Sequence, residues 1–146
     1  MGYEERNAWV GLVVGVATLV GYLVLLVSRA DGGPITEVDY QPLLIGTVVV
    51  GIVAVIIATI VWTIVTTVRT GEQEFRGDQR DKEIARFGER IGHAFLVIGA
   101  LAAMLMAMAE WDFFWIANVI FVAFAVSAMV EGIAKVSAYR WGLPQW

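Results

Sequence analysis

The chain contains no cysteine, one histidine and three prolines. Without cysteine it can form neither structural disulfides nor thiolate metal sites. The same absence excludes the quinone-linked thiol oxidoreductases, which also use four-helix membrane bundles. One histidine cannot hold a haem between two imidazoles within a single chain. G-x-S-x-G, H-E-x-x-H and P-loop motifs are all missing, so nucleophilic and metal-assisted catalysis lack their parts. No enzymatic activity, cofactor, metal site or direct nucleic-acid binding is expected.

Apolar sequence is what the chain has in excess. Hydrophobic residues make up 59% of its 146 positions, and the mean hydropathy is +0.74. A water-soluble domain of this length has nowhere to bury so much apolar surface. A bilayer core about 30 Å thick needs roughly 20 apolar helical residues to cross it. Four stretches qualify, at 8–28, 43–68, 91–109 and 113–136. In lipid each backbone must satisfy its own hydrogen bonds, so each stretch is expected as a helix. The first could be mistaken for a secretory signal. Its leading Tyr3-Glu4-Glu5-Arg6 is only weakly basic and no small-x-small site follows, so a retained helix is expected. The predicted fold is all-α: one polytopic transmembrane domain over residues 1–146, a four-helix bundle made of two hairpins.

Basic residues set the orientation. Arg69, Arg76, Arg80, Lys82, Arg86 and Arg90 lie between segments two and three, Arg6 precedes the first, and Lys135 and Arg140 end the fourth. Only Arg29 falls on the other side. Positive charge is retained in the cytoplasm, so both termini and the middle connection are expected there, in a multi-pass protein of the cell membrane. The bias is too strong for the dual-topology small multidrug antiporters or fluoride channels. Interfacial aromatics follow the same division: Trp9, Tyr139 and Trp141 inside, Tyr22, Tyr40, Trp111 and Trp115 outside.

The three connections differ. Asp31-Gly32-Gly33-Pro34 is a turn signal, and Pro42 suits the first turn of the second helix. Glu110-Trp111-Asp112 makes the second hairpin tight, with Asp112 placed to cap the fourth helix. In the middle connection Ile84, Phe87 and Ile91 form one apolar stripe on a charged helix. Asp78 is its expected N-cap, with surface pairs Asp78–Lys82 and Glu83–Arg86. The third helix is therefore expected to start in the cytoplasm, near residue 78, and to enter the bilayer without a break.

Glu5-Arg6 precedes Leu12-Val13-Val14-Gly15 at the spacing by which Glu89-Arg90 precedes Leu96-Val97-Ile98-Gly99. This is a candidate parallel internal repeat, with shared apolar composition as the alternative source of the match. Small residues recur at four-residue spacing: Gly11 and Gly15; Thr47, Gly51, Ala54 and Ala58; Gly99, Ala103 and Ala107. Such spacing lets helix backbones approach, either within the bundle or in a homo-oligomer. Met104, Met106 and Met108 then fill gaps, since their alternation gives poor ligand geometry.

Polar residues inside membrane segments are functional candidates by default. Asn118 is placed for an interhelical hydrogen bond. Glu131 lies near the inner boundary, four residues before Lys135, and either pairs with it or handles protons or cations. His93 sits one turn past Arg90, as an interfacial anchor. The acidic rim Asp31, Glu37, Asp39, Glu110 and Asp112 is what remains outside when basic residues are kept inside.

The run Asp78-Gln79-Arg80-Asp81-Lys82-Glu83-Ile84 through Gly88-Glu89-Arg90-Ile91-Gly92, followed by Trp111-Asp112-Phe113-Phe114-Trp115, resembles a family of small four-helix membrane proteins of archaea and bacteria. That family carries a D-x-R-D-x-x-I-x-x-x-G-x-x-I-G-like approach to its third helix and has no agreed activity. The likeness covers about the second half of the chain. Members are often encoded beside a small helix-turn-helix regulator, which implies a membrane tether or sensor for that regulator.

Two functional readings follow. In the first, a non-enzymatic membrane accessory or regulatory protein docks a soluble cytoplasmic partner through Arg80, Lys82, Ile84, Arg86, Phe87 and Arg90. Six acidic residues of that connection, Glu72, Glu74, Asp78, Asp81, Glu83 and Glu89, balance its six basic ones. Neutrality favours a shaped protein contact over attraction to anionic lipid. In the alternative, the chain is a small oligomeric channel or transporter whose polar path includes Asn118, Glu131, Thr59, Thr63 and Thr66. The orientation is directly testable in a chain without native cysteine. Thr36→Cys is expected to react with a membrane-impermeant maleimide in intact cells, and Gln79→Cys only after permeabilisation.

Overall fold

The computed structural model describes residues 3–70 and 79–143. Four helices account for nearly all of them: α1 (Tyr3–Ala30), α2 (Tyr40–Thr70), α3 (Gln79–Met108) and α4 (Phe113–Trp141). A single 3-10 turn, Ile35–Glu37, interrupts the first connection. Each helix is long and apolar enough to cross a membrane. At 1.5 Å per residue, even the 28 residues of α1 reach about 42 Å, more than a hydrocarbon core of about 30 Å requires.

Each element extends the stretch expected from the sequence or matches it within a few residues. α3 is continuous from Gln79 into its apolar part, as the Ile84, Phe87 and Ile91 spacing implied. α4 continues to Trp141 instead of stopping near 136, because Val136 and Ala138 are buried. The proposed N-cap Asp78, its pairing with Lys82, and Arg76 lie outside the described residues, as do the side chains of Thr66 and Arg69.

Local chemistry explains the helix ends. Asp112 caps α4, its side chain accepting a hydrogen bond from the Phe114 backbone N–H at 2.7 Å. α3 closes with a paired bonding pattern in which Trp111 N–H donates to the Met106 carbonyl and Glu110 N–H to the Ala107 carbonyl. That is the Schellman arrangement, and Glu110 takes the left-handed position, at φ 55°, usually held by glycine. α1 ends in a turn with positive φ at both Asp31 and Gly32, closed by Gly33 N–H donating to the Ala30 carbonyl at 2.7 Å. Gly142, at φ 86°, ends α4.

Neighbouring helices in space run in the order α2, α1, α4, α3. The contact between α3 and α4 is the most extensive; α2 leans on α1 and has no other substantial neighbour. Of α2's large aliphatic residues only Leu43 is buried, while Val50 and Ile45 are more than 60% exposed. Apolar surface on this scale suits lipid, not water. Near the two short connections Tyr22, Leu26, Leu43, Phe114 and Phe121 form an aromatic and aliphatic knot. Tyr22 was expected in an interfacial belt; instead it is 1% exposed, because its ring packs on Phe121 with centroids 4.8 Å apart. Met104 and Met108 face outward, so of the three methionines only Met106 is partly covered.

The seam between α3 and α4 is made by glycines. A Cβ at Gly88 would come within 2.6 Å of Lys135 Cγ, and one at Gly92 within 2.9 Å of the Ser127 carbonyl oxygen. A Cβ at Gly99 would overlap the methyl of Ala123. Ser127, itself buried, donates a hydrogen bond from Oγ to the Gly92 carbonyl at 2.8 Å. Gly88 and Gly92, not Gly11 and Gly15, are the GxxxG pair at a close helix contact. The α1 pair stands open: nothing lies within 4 Å of a Cβ at Gly11, and only Met129 Cγ, at 4.0 Å, near one at Gly15. Accordingly Gly99→Ala is expected to destabilise the hairpin by about 1–3 kcal/mol through overpacking, whereas Gly11→Ala is neutral. Thermal unfolding of both variants in detergent checks the contrast.

Candidate functional sites at the two ends of the bundle

At the end that carries both termini, α1, α3 and α4 converge. Trp9 receives the Arg140 guanidinium over its ring at 5.7 Å from the centroid. Tyr139 donates its hydroxyl to Asp81 Oδ1 at 3.0 Å. Glu131 and Lys135, one helical turn apart on α4, pair at 2.6 Å with both side chains half-buried. Of these contacts the Tyr139–Asp81 bond ties the charged start of α3 to the last turns of α4, while Arg140 over Trp9 ties α4 to α1.

Ile84 is the residue whose role changes. It was expected on a docking stripe, but it is fully buried. It shares a face with Gly88 and Gly92, which lie against α4, so its side chain is turned inward and is unavailable to a partner. Arg80, Lys82, Arg86 and Arg90 are exposed, with Glu83 and Glu89 among them, and Phe87 is partly covered. The surface offered outward is therefore a mixed-charge helix face with one partly accessible aromatic ring. His93, the remaining candidate on α3, is exposed.

Asn118 lies at the opposite end. Tyr22 donates its hydroxyl to Asn118 Oδ1 at 2.5 Å, and Asn118 Nδ2 donates to the Phe114 carbonyl at 2.8 Å. The expected interhelical hydrogen bond is thus present, joining α4 to α1. Asn118 and Glu131 are not brought together: thirteen residues of helix separate them, about 20 Å. Between them the groove-facing side of α4 is Ile120, Phe121, Phe124, Ala125 and Ala128. Thr63 donates to the Thr59 carbonyl of its own helix, a bond that occupies its hydroxyl locally. Among the described residues no polar path is assembled within one chain. The acidic rim residues are all exposed at this end, and Asp112 is engaged in its cap. Among the described residues no three histidine or acidic side chains converge as metal ligands would.

Between these ends lies a groove of about 910 Å³, bounded by α1, α2 and α4. Gly11, Gly15 and Thr18 of α1 lie between walls formed by Val48 and Ile52 of α2 and by Phe124 and Ala128 of α4. Its terminal end is polar, with Asn7, Glu131, Lys135 and Tyr139 in the lining. The sequence signal for this feature was the open GxxxG pair of α1. Nothing in the sequence indicated that α2 would leave it uncovered.

Compared with known proteins, the chain matches no family model, no curated protein and no solved structure.

The Tyr22–Asn118 contact has a measurable energy. Asn118→Ala leaves the Tyr22 hydroxyl buried without its partner, and the expected cost is about 1–3 kcal/mol. A double-mutant cycle with Tyr22→Phe should return a coupling of roughly 0.6–1.7 kcal/mol, the range for hydrogen bonds between membrane helices.

Proposed function

We propose that this is a non-enzymatic membrane accessory or regulatory protein, which presents the start of α3 in the cytoplasm as a docking surface for a soluble protein. The observation that carries this reading is the fastening of that helix. Ile84 is buried, Tyr139 binds Asp81, and the intervening face shows Arg80, Lys82, Arg86 and Arg90 to solvent. A helix held in place presents its charges in a fixed pattern, and less conformational entropy is lost on docking. The basic residues cluster at the end that carries the termini, which supports a cytoplasmic position for it. Because acidic residues alternate with the basic ones, a partner of complementary mixed charge is favoured over an anionic leaflet. The resemblance of the approach to the third helix favours a small helix-turn-helix regulator as that partner.

The test is purification from native membranes in mild detergent, with mass spectrometry of co-eluting proteins. Arg80→Gln/Lys82→Gln/Arg86→Gln changes only exposed side chains and leaves Arg69, Arg76 and Arg90 to hold the orientation. A soluble protein captured stoichiometrically by the parent and lost from this triple variant is the expected result. Equal capture by the variant would remove this face from the docking reading.

A further inference from the structure

We propose that the groove between α1, α2 and α4 is a binding site for one membrane phospholipid, with a hydrocarbon chain along α1 and the headgroup phosphate at Lys135. This stands apart from partner docking and uses different residues. An apolar groove within the bilayer cannot stay empty without its lining forfeiting dispersion contacts. Hydrocarbon chains are the material at hand, and beyond the contact of Tyr40 and Leu43 with Phe114 at one end, α2 and α4 have no substantial packing that would shut them out. The groove is long enough for a hydrocarbon chain: its lining covers about 18 Å along α1, from Asn7 to Leu19, and about 33 Å along α4, from Ala117 to Tyr139.

Polarity is arranged in the same sense. Apart from Thr18, whose hydroxyl is taken up by the Val14 carbonyl of its own helix, the lining is apolar except at the terminal end, where a headgroup would sit. Lys135 gives one of its three ammonium donors to Glu131, leaving two for a phosphate. Asn7 makes no hydrogen bond to another described residue and adds an amide donor at the same place. In a zwitterionic lipid the headgroup cation meets Glu131, the other half of the pair. The glycines explain why a chain can enter: at Gly11 and Gly15 the α1 surface has no side chain to fill the trough.

That openness also supplies the test. Gly11→Leu/Gly15→Leu fills the groove from α1, where a Cβ meets either nothing or an ordinary 4.0 Å contact. Ile52→Trp fills it from the opposite wall, starting from a residue more than half exposed. Each variant would be purified in mild detergent and weighed by native mass spectrometry, alongside its melting curve. The parent is expected to retain one phospholipid per chain, and both filled variants to lose it with melting unchanged. Lys135→Gln is expected to retain a smaller share of lipid than the parent. A parent that carries no lipid, or filled variants that retain as much as the parent, would overturn the proposal. A lipid-free dimer of the parent that the filled variants abolish would assign the groove to a second copy of the chain, and would overturn it equally.

Discussion

Where Gly88, Gly92 and Gly99 meet α4, the two backbones are so close that a methyl group at any of the three would press on its neighbour. Lipid supplies no hydrophobic drive for helices to associate, so close packing and hydrogen bonds must do it. This seam provides both, since the same approach lets Ser127 reach the Gly92 carbonyl. It runs from within the apolar part of α3 out to its charged start, and Ile84 prolongs it beyond Gly88. One line of contacts therefore stabilises the hairpin and fixes the direction of the charged helix. α1 joins the hairpin from the other side of α4, through Gly132 against Leu12 and Ala8, and through the Tyr22–Asn118 bond. α2 is attached chiefly to α1, as where Gly51 faces Thr18, and meets α4 at its start, through Tyr40 and Leu43 beside Phe114. The unequal attachment leaves the groove.

Much of this was legible in the sequence, for physical reasons that can be named. Apolar runs of about twenty residues announce helices long enough to cross a bilayer, and the Asp112 cap followed from its position before Phe113. The Asn118 hydrogen bond was expected because an amide inside a membrane helix needs a partner. Its partner was not legible, since a tyrosine near a helix end reads equally as an interfacial anchor. Ile84 was misplaced for a similar reason. A stripe of apolar residues on a charged helix shows that one face is buried, not whether its cover is another protein or the chain's own α4. Residues 136–141 settle that point, because Val136, Ala138 and Tyr139 extend α4 far enough to meet it. The open Gly11 and Gly15 belong to the same lesson: spacing permits close approach, and only the path of the neighbouring helix decides whether it occurs.

The two proposed sites divide the molecule by solvent. The face of α3 that carries Arg80, Lys82 and Arg86 is exposed and charged, whereas the groove is mainly apolar, with its charged groups at the terminal end. They come nearest at Tyr139, which lines the groove and also binds Asp81 on α3. Ala85, one turn beyond Asp81, reaches the same groove end. Occupancy of the groove and the setting of the docking helix thus share residues, and neither surface stands far from the α3–α4 seam.

The most direct test of the account is a cross-link between Asp81→Cys and Tyr139→Cys, made with a short thiol-to-thiol reagent in native membranes. With no other cysteine in the chain, the readout is unambiguous. A helix fastened on α4 predicts an efficient bridge within one chain, seen in the monomer. Bridging only between chains, or no bridge while each cysteine alone remains reactive, would contradict it. In either case the start of α3 would not be held by α4.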